Sequence, residues 1–287
     1  MKYIDLHTHS SCSDGTMTPA TLVEHAKQAG LSAIALTDHD TMEGVPEAMA
    51  RGLEQGVEVI PGIEISSSYN NMFMHILGYG LRHDDPALIK RLTKIQKARN
   101  LRNEKIISKL CKLGIEVTMA DLKTYSKEGQ TGRPHIARLL LDRKVVRTLH
   151  DAFSRYLGKG GRAYEDRFRY EAGVAINMIR DAGGLAILAH PVTITPRLAG
   201  IRKLVKTLQD MGLAGIEVYH PAHSPGLTRI LKQVAMENEM LITGGSDFHG
   251  DNKPDITLNL ARERLNIPYS LLAEMKKRLG GRLKVEG

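Results

Sequence analysis

The stretch Tyr3-Ile4-Asp5-Leu6-His7-Thr8-His9-Ser10-Ser11-Cys12-Ser13-Asp14-Gly15 opens the organised part of the chain. Its apolar start, residues 3–6, reads as a buried strand, and that strand runs out into His7 and His9. Alternate residues of a strand point to the same face, so the two imidazoles can grip one cation. Asp14 follows in a glycine-containing loop able to bend back toward them. The same device recurs downstream. Apolar runs lead into Thr37-Asp38-His39-Asp40, Gly62-Ile63-Glu64, His190-Pro191 and Ser246-Asp247-Phe248-His249, and His75 lies inside the run 72–79.

Helical signals separate these runs. Thr18-Pro19 supplies an N-cap and an N1 proline for a helix to about residue 29, which Gly30 closes. A strand at 32–36, a helix at 43–55, a strand at 57–60 that leads through Pro61-Gly62 to 63–65, and a strand at 72–79 follow. This alternation predicts an α/β fold with a largely parallel sheet. It breaks over residues 98–165, where no strand is evident. A basic helix at 86–113 precedes a capping box at Thr118 and Asp121, helices at 132–142 and 150–157, and the loop Gly158-Lys159-Gly160-Gly161-Arg162. The expected organisation is one α/β domain, residues 1–97 and 166–287, carrying a helical insertion at 98–165. Alternation resumes with a helix at 170–182, strands at 185–189, 215–219 and 240–243, helices at 198–211, 224–238 and 269–279, and a short basic tail.

The chain has 287 residues, is 42% hydrophobic and lacks Trp, so aliphatic side chains must build its core. No apolar run is long enough to span a bilayer, and the N-terminus lacks a signal-peptide layout. A cytoplasmic protein without membrane contact, and without an obligate protein partner, is expected. Cys12 and Cys111 fit no metal-finger spacing and read as free thiols. The net charge of +8 fits either a solubilising surface or an anionic partner such as nucleotide or RNA. Much of the excess lies in residues 90–112, read as a solvated helix face, and in residues 133–159.

Nine side chains stand out as metal ligands: His7, His9, Asp14, His39, Glu64, His75, His190, Asp247 and His249. Packing alone explains them poorly, because every buried imidazole or carboxylate needs its own partner. Nine ligands exceed one ion and suit two to three divalent ions sharing a carboxylate. Mixed imidazole and carboxylate favours Mn²⁺, Zn²⁺ or Fe²⁺ over Ca²⁺. Three such ions outweigh the three carboxylates, so the site stays cationic and attracts anions. Clustered ions serve phosphate esters by acidifying a water and neutralising phosphoryl charge.

Taken together, His7-Thr8-His9, Asp14-Gly15, Thr37-Asp38-His39-Asp40, Gly62-Ile63-Glu64, His75, Ala189-His190-Pro191 and Ser246-Asp247-Phe248-His249 resemble the PHP (polymerase and histidinol phosphatase) family. The resemblance implies a distorted (β/α)7 barrel with three metals. His7, His9, Glu64 and Asp247 would hold the first, Glu64, His75 and His190 the second with Glu64 bridging, and Asp14, His39 and His249 the third. Gly132-Arg133-Pro134-His135-Ile136-Ala137, the loop near Gly160-Gly161, and Tyr219-His220-Pro221-Ala222-His223-Ser224 are similar to the branch of 3′,5′-nucleotide bisphosphate phosphatases and 5′→3′ exoribonucleases. The function so implied is hydrolysis of a nucleoside 3′,5′-bisphosphate at the 3′-phosphate, or trimming of short 5′-phosphorylated RNA, with a metal-bridging hydroxide attacking phosphorus. Glu64, His190, Asp247 and His223 are the expected catalytic residues, and Arg133, His135 and His223 the expected substrate contacts. A guanidinium at Arg133 can fork onto two phosphate oxygens, and an imidazole at His223 can contact substrate or protonate the leaving oxygen. His220 is expected to orient its loop. Asp38 and Asp40 are expected to shape theirs, and Lys159 and Arg162 to lie in solvent or along a polynucleotide. Two competing readings are a histidinol-phosphate phosphatase and a non-catalytic nucleotide- or RNA-binding module with structural metals.

Overall fold

The computed structural model describes residues 2–125, 129–194 and 200–280. Its strands are β1 (Tyr3–Thr8), β2 (Leu31–Leu36), β3 (Glu58–Tyr69), β4 (Met72–Tyr79), β5 (Tyr170–Glu171), β6 (Leu185–Leu188), β7 (Gly215–Tyr219) and β8 (Leu241–Gly244). They form one mixed sheet in the order β1-β2-β3-β4-β6-β7-β8, with β5 attached to the far end of β3. β1, β2 and β3 run parallel, as do β6, β7 and β8. β4 is antiparallel to both of its neighbours. The cause is a two-residue hairpin at Asn70-Asn71, both with positive φ (48° and 61°), which reverses the chain directly after β3. β3 therefore continues unbroken through Pro61-Gly62 to Tyr69 instead of ending near residue 65, and Glu64 sits inside it. Tyr170–Glu171 pairs with Ser67 and Ser68 as a strand, so the helix expected from residue 170 starts at Ala172.

In chain order the helices are α1 (Pro19–Gln28), α2 (Val45–Gln55), α3 (Pro86–Lys112), α4 (Met119–Lys123), α5 (Arg133–Asp142), α6 (Leu149–Ala152), α7 (Ala172–Asp181), α8 (Ile201–Asp210), α9 (Pro225–Glu237), α10 (Asn259–Glu263) and α11 (Tyr269–Arg278). The caps read in the sequence are present. The Thr18 side chain accepts from the Thr21 N–H, Ser224 from the Leu227 N–H, and Thr118 with Asp121 forms a reciprocal capping box. α6 leads into one wider, π-type turn at Phe153–Leu157. The start of the helix expected at residue 198 and most of the basic tail lie outside the described residues.

Apolar side chains from α1, α2, α7, α9 and α11, among them Leu22, Ala48, Ile176, Leu231 and Leu272, pack against the sheet in the main core. A second buried cluster is built from residues such as Ile106, Leu110, Leu122, Ile136, Leu140 and Leu157. α3 threads both: Leu88, Leu92 and Ile95 belong to the first cluster, Ile106, Ile107 and Leu110 to the second. The boundary expected at residues 97 and 98 thus falls inside one uninterrupted helix.

The two edges of the sheet meet only at one end. Thr8 and Phe248 form an isolated bridge, the His9 N–H donates to the Phe248 carbonyl (2.9 Å) and the Asp247 N–H to the His7 carbonyl (2.9 Å). No continuous ladder joins β1 to β8, so the sheet is not closed as a regular barrel. Glycine permits even this contact: a Cβ on Gly245 would lie 2.3 Å from the Cβ of His7. Residues far apart in sequence are thereby brought to one end of the sheet. No helix among the described residues is long and apolar enough to cross a membrane.

Candidate metal centre

All nine expected ligands converge at that end. β1 and the residue that directly follows it put His7 and His9 on one face, both fully buried, as strand alternation carried one residue further requires. Glu64, from the interior of β3, lies at the centre. Its Oε2 is 3.3 Å from His7 Nε2, 3.2 Å from His9 Nε2 and 3.1 Å from His39 Nδ1. Its Oε1 is 2.8 Å from both His75 Nδ1 and His190 Nε2. Asp247 Oδ1 lies 3.4 Å from His7 and 3.3 Å from His9. Asp14 lies 3.3 Å from His249 Nε2 and 3.9 Å from both His9 and His39. Three groups emerge whose donor atoms could share an ion: His7, His9, Glu64 and Asp247; His9, Asp14, His39 and His249; and His39, Glu64 and His75. His9 and His39 each serve two of them, one ring nitrogen on either side.

The contacts at 3.1–3.4 Å around Glu64 Oε2 and Asp247 Oδ1 suit a shared cation better than hydrogen bonds. Donors about 2.1 Å from one ion lie roughly 3–3.4 Å from each other. His7 Nε2, both nitrogens of His9, His39 Nδ1, His75 Nδ1 and Glu64 Oε2 are buried without a hydrogen-bond partner among the described residues. Buried polar atoms in that number call for a ligand. The backbone is held accordingly: His190 (φ 24°) and Asp247 (φ 58°) both take conformations that non-glycine residues rarely adopt.

The other ring nitrogens are tied down. His7 Nδ1–H donates to Glu217 Oε1 (2.8 Å), which leaves Nε2 free as a donor atom. Glu217 Oε2 also accepts from the His190 N–H (2.6 Å). His190 Nδ1–H is fixed by Thr193 Oγ1 (3.0 Å), whose own hydroxyl donates to the His190 carbonyl. Asp38 collects Ser10 and Ser13, and Asp40 collects Ser66, Arg99 and Arg167, so both shape their loops as expected. Glu217 carries no motif of its own. A carboxylate in the middle of the buried run Gly215–Tyr219 was its one visible signal.

Electrostatics agree with this picture. Burial opposes ionisation of Glu64, yet the surrounding histidines outweigh it and hold the carboxyl well below its usual range. Burial likewise resists charge on His9, but Asp247 and Glu64 lift that ring to about 9, so the carboxylates demand positive charge there. A divalent ion meets the same demand. Burial drives His39 down to about 3 despite Glu64 and Asp14, which keeps it in the neutral form that ligates.

A cavity of about 340 Å³ opens beside the cluster, lined among others by Glu64, Arg133, His190, His220, Asp247 and Lys253. Arg133, at the start of α5, faces it as expected. His135 does not line it: its Nδ1 accepts the Gly132 N–H (3.0 Å) and so caps α5 from within. The two loop histidines exchange places relative to expectation. His220 reaches the cavity with Nε2 3.5 Å from Asp247 Oδ2, while its Nδ1 accepts the Ala222 N–H. His223 stands behind it, donating Nδ1–H to the Val218 carbonyl (2.9 Å). Lys253, ion-paired with Asp247, was not foreseen. Arg99 and Arg102 correct the reading of residues 90–112 as a solvated face: Lys90, Lys94, Lys97 and Lys105 are exposed, but these two arginines are buried. Lys159 and Arg162 are exposed in their loop.

The sequence profile of the PHP domain matches residues 5–178, more than half of the chain. The chain belongs to the PHP family. His190, His220, Asp247 and His249 of this PHP protein lie beyond the matched segment and join the cluster through the fold. The protein is 34% identical over 248 residues to a 5′-3′ exoribonuclease of Haemophilus influenzae, covering 86% of this chain and 90% of the relative. It is 32% identical over 250 residues to a 3′,5′-nucleoside bisphosphate phosphatase of Chromobacterium violaceum, covering 87% and 88%. A solved structure from Bifidobacterium adolescentis, described as a candidate metal-dependent phosphoesterase, superposes with a TM-score of 0.89 at 29% identity over 96% of each chain. The family, these relatives and the cluster identify a PHP-type phosphoesterase, a hydrolase of phosphate esters with a site suited to divalent metals.

Proposed function

We propose that this protein removes the 3′-phosphate of nucleoside 3′,5′-bisphosphates, trims short 5′-phosphorylated RNA from its 5′ end, or does both. Its relatives with these two activities support the reading, and one observation carries it: a cavity that joins the carboxylate–imidazole cluster to the cations Arg133 and Lys253. In this reading the sheet is a distorted (β/α)7 barrel drawn together at the Thr8–Phe248 bridge, and residues 98–165 form an inserted helical unit over its open end. His7, His9, Glu64 and Asp247 would hold one ion, Glu64, His75 and His190 a second, and Asp14, His39 and His249 a third, as Mn²⁺, Zn²⁺ or Fe²⁺. Such ions lower the pKa of water and neutralise charge on phosphoryl oxygens.

The chain's own groups do the rest. Arg133 forks onto the phosphoryl oxygens and holds the phosphorus in line for attack by water. Lys253 offsets the charge of Asp247 and adds a cation at the same wall. As the bond from phosphorus to the 3′ oxygen breaks, that oxygen accepts a hydrogen bond from His220 Nε2–H, the ring nitrogen left protonated because Nδ1 accepts from Ala222, and takes the proton that the attacking water gives up. His220 thus stands where His223 was expected, beside the leaving oxygen, while His223 directs Nδ1–H to the Val218 carbonyl.

The test is a comparison of three substrates with Mn²⁺ present: adenosine 3′,5′-bisphosphate, a 5′-phosphorylated trinucleotide RNA, and histidinol phosphate. Turnover of either of the first two, abolished by His9→Ala, is expected. Preference for histidinol phosphate would move the protein to the other branch. Binding without metal-dependent release of phosphate or nucleotide would make it a binding module.

A further inference from the structure

Two of the chain's four phenylalanines are exposed, Phe73 at 40% and Phe168 at 39%, in a sequence without Trp. Phe73, near the start of β4, lines the cavity beside the metal cluster. Both rings carry a cation. The Arg169 guanidinium lies 4.0 Å from the centre of the Phe73 ring. Lys94 Nζ lies 4.4 Å from the centre of the Phe168 ring and 5.8 Å from that of Tyr170. Phe168 meets Tyr170 edge to face, with ring centres 4.9 Å apart. Successive side chains of an extended segment point to opposite sides. Residues 168–170 therefore turn Arg169 toward Phe73 at the cavity, and Phe168 and Tyr170 toward the outer face of α3.

α3 continues this surface. Lys90, Lys94 and Lys97 follow in steps of four and three, share one face and are all exposed. From Pro86 to Asn103 the helix has no acidic residue. Among the described residues its ion pairs run from Arg91 to Asp181, from Arg99 to Asp40 and from Lys109 to Glu165, and the three lysines join none of them. Single apolar groups scattered on a surface need no explanation, but aromatic rings and unpaired lysines in one strip that starts at the cavity do. Single-stranded RNA answers both halves of the strip. Every base has a π face that stacks on an aromatic ring whatever its identity, and every phosphate carries charge that a lysine can meet. A protein partner fits less well, because the centres of protein interfaces are depleted of lysine. A duplex also fits less well, because its bases are already stacked on one another.

We infer that the strip made by Phe168, Tyr170 and the exposed lysines of α3 holds the part of a single-stranded RNA that lies downstream of the bond being cut. The inference rests on the phosphoesterase reading above and deepens it: the cavity takes the 5′-terminal nucleotide, and the strand leaves past Phe73 onto the outer face of α3. A mononucleotide ends at the cavity and never reaches the strip. The strip thus favours oligonucleotides over nucleoside bisphosphates.

Fluorescence anisotropy on the full-length protein, with chelator present to prevent cleavage, measures the strip apart from chemistry. The probes are a 3′-labelled, 5′-phosphorylated single-stranded RNA decanucleotide and a blunt duplex of the same sequence. The single strand is expected to bind and the duplex to bind more weakly. Phe168→Ala should weaken binding of the single strand about tenfold, the effect of one lost base-on-ring contact. Lys94→Gln combined with Lys97→Gln should flatten the slope of log affinity against log salt by about 0.7 for each lysine removed. All three residues are exposed, so these variants should fold as the parent protein does. In turnover with Mn²⁺, kcat/KM for the decanucleotide should fall in Phe168→Ala by the same factor, while that for adenosine 3′,5′-bisphosphate stays unchanged. Affinity unmoved by Phe168→Ala, equal affinity for strand and duplex, or an equal fall in turnover for both substrates overturns the inference. A protein that binds the strand through Phe168 but cleaves neither substrate supports the strip and refutes the proposed activity instead.

Discussion

Glu217→Gln isolates how the cluster is held. Glu217 is fully buried; one oxygen accepts His7 Nδ1–H at 2.8 Å and the other accepts the His190 N–H at 2.6 Å. Glutamine has nearly the same volume, so no cavity opens. Its single oxygen can serve one of these donors, and its amide N–H groups then face the other. One charge-assisted hydrogen bond is lost, about 1.5–3 kcal/mol. His7 can escape the clash by moving its proton to Nε2, which removes the lone pair it directs at Glu64 and Asp247. Partners that orient a metal-ligating histidine typically influence metal affinity about 10–100-fold, or about 1.4–2.7 kcal/mol, the same range. Competition for Zn²⁺ or Mn²⁺ against a fluorescent chelator should therefore show affinity reduced by one to two orders of magnitude. Near-UV circular dichroism should remain native, since a loss of this size leaves most of a domain's stability of about 5–15 kcal/mol. A folded variant whose metal affinity stays within about twofold of the parent protein refutes the assignment of Glu217 as the group that positions His7 and His190.

Other consequences can be measured directly. Gly245→Ala places a Cβ 2.3 Å from His7 Cβ and 2.4 Å from its backbone nitrogen, so β1 and β8 must part; a loss of about 3 kcal/mol in urea unfolding and weakened metal uptake are expected. Gly226→Ala in the first turn of α9 is the control, with nothing nearer than 4.0 Å and an expected change between zero and a gain of about 1 kcal/mol. Asp85→Ala removes the cap of α3, where the side chain accepts the Leu88 N–H at 2.9 Å, and should cost about 1 kcal/mol at pH 7. The Leu88 N–H and Arg82 hold that carboxyl below its ordinary 3.8, so its contribution is complete above that pH and fades as pH falls below it; the two proteins should then converge in stability. Mn²⁺ at 100 times its dissociation constant should stabilise the fold by about 2.7 kcal/mol, read as a rise in Tm that a chelator reverses. An unchanged Tm would show that the cluster binds no ion.

The nine clustered side chains were legible because each sits in a short local pattern: a strand that alternates, a strand end, a loop glycine. Their meeting was legible only through the family resemblance, since nothing local says that Gly245 will let Asp247 reach His7. The reversal of β4 had a signal, Asn70-Asn71, whose side chains tolerate positive φ, but two adjacent apolar runs fit a parallel reading equally well. Lys253 had none, because a short turn at Gly250–Asn252 rather than a fixed spacing delivers it. The buried arginines of α3 are the instructive case. Composition marks residues 90–112 as a basic, solvated face, but the inward side of α3 runs Leu88, Leu92, Ile95, Arg99, Arg102, Ile106 and Leu110, in steps of three and four. Arg99 and Arg102 occupy the positions that belong to apolar residues. Helix geometry, not residue type, decides which side chains face inward, so charge at an apolar position cannot simply be solvated. It must meet a partner: Asp40, from the loop after β2, answers Arg99, and Asn103 Oδ1 accepts from Arg102.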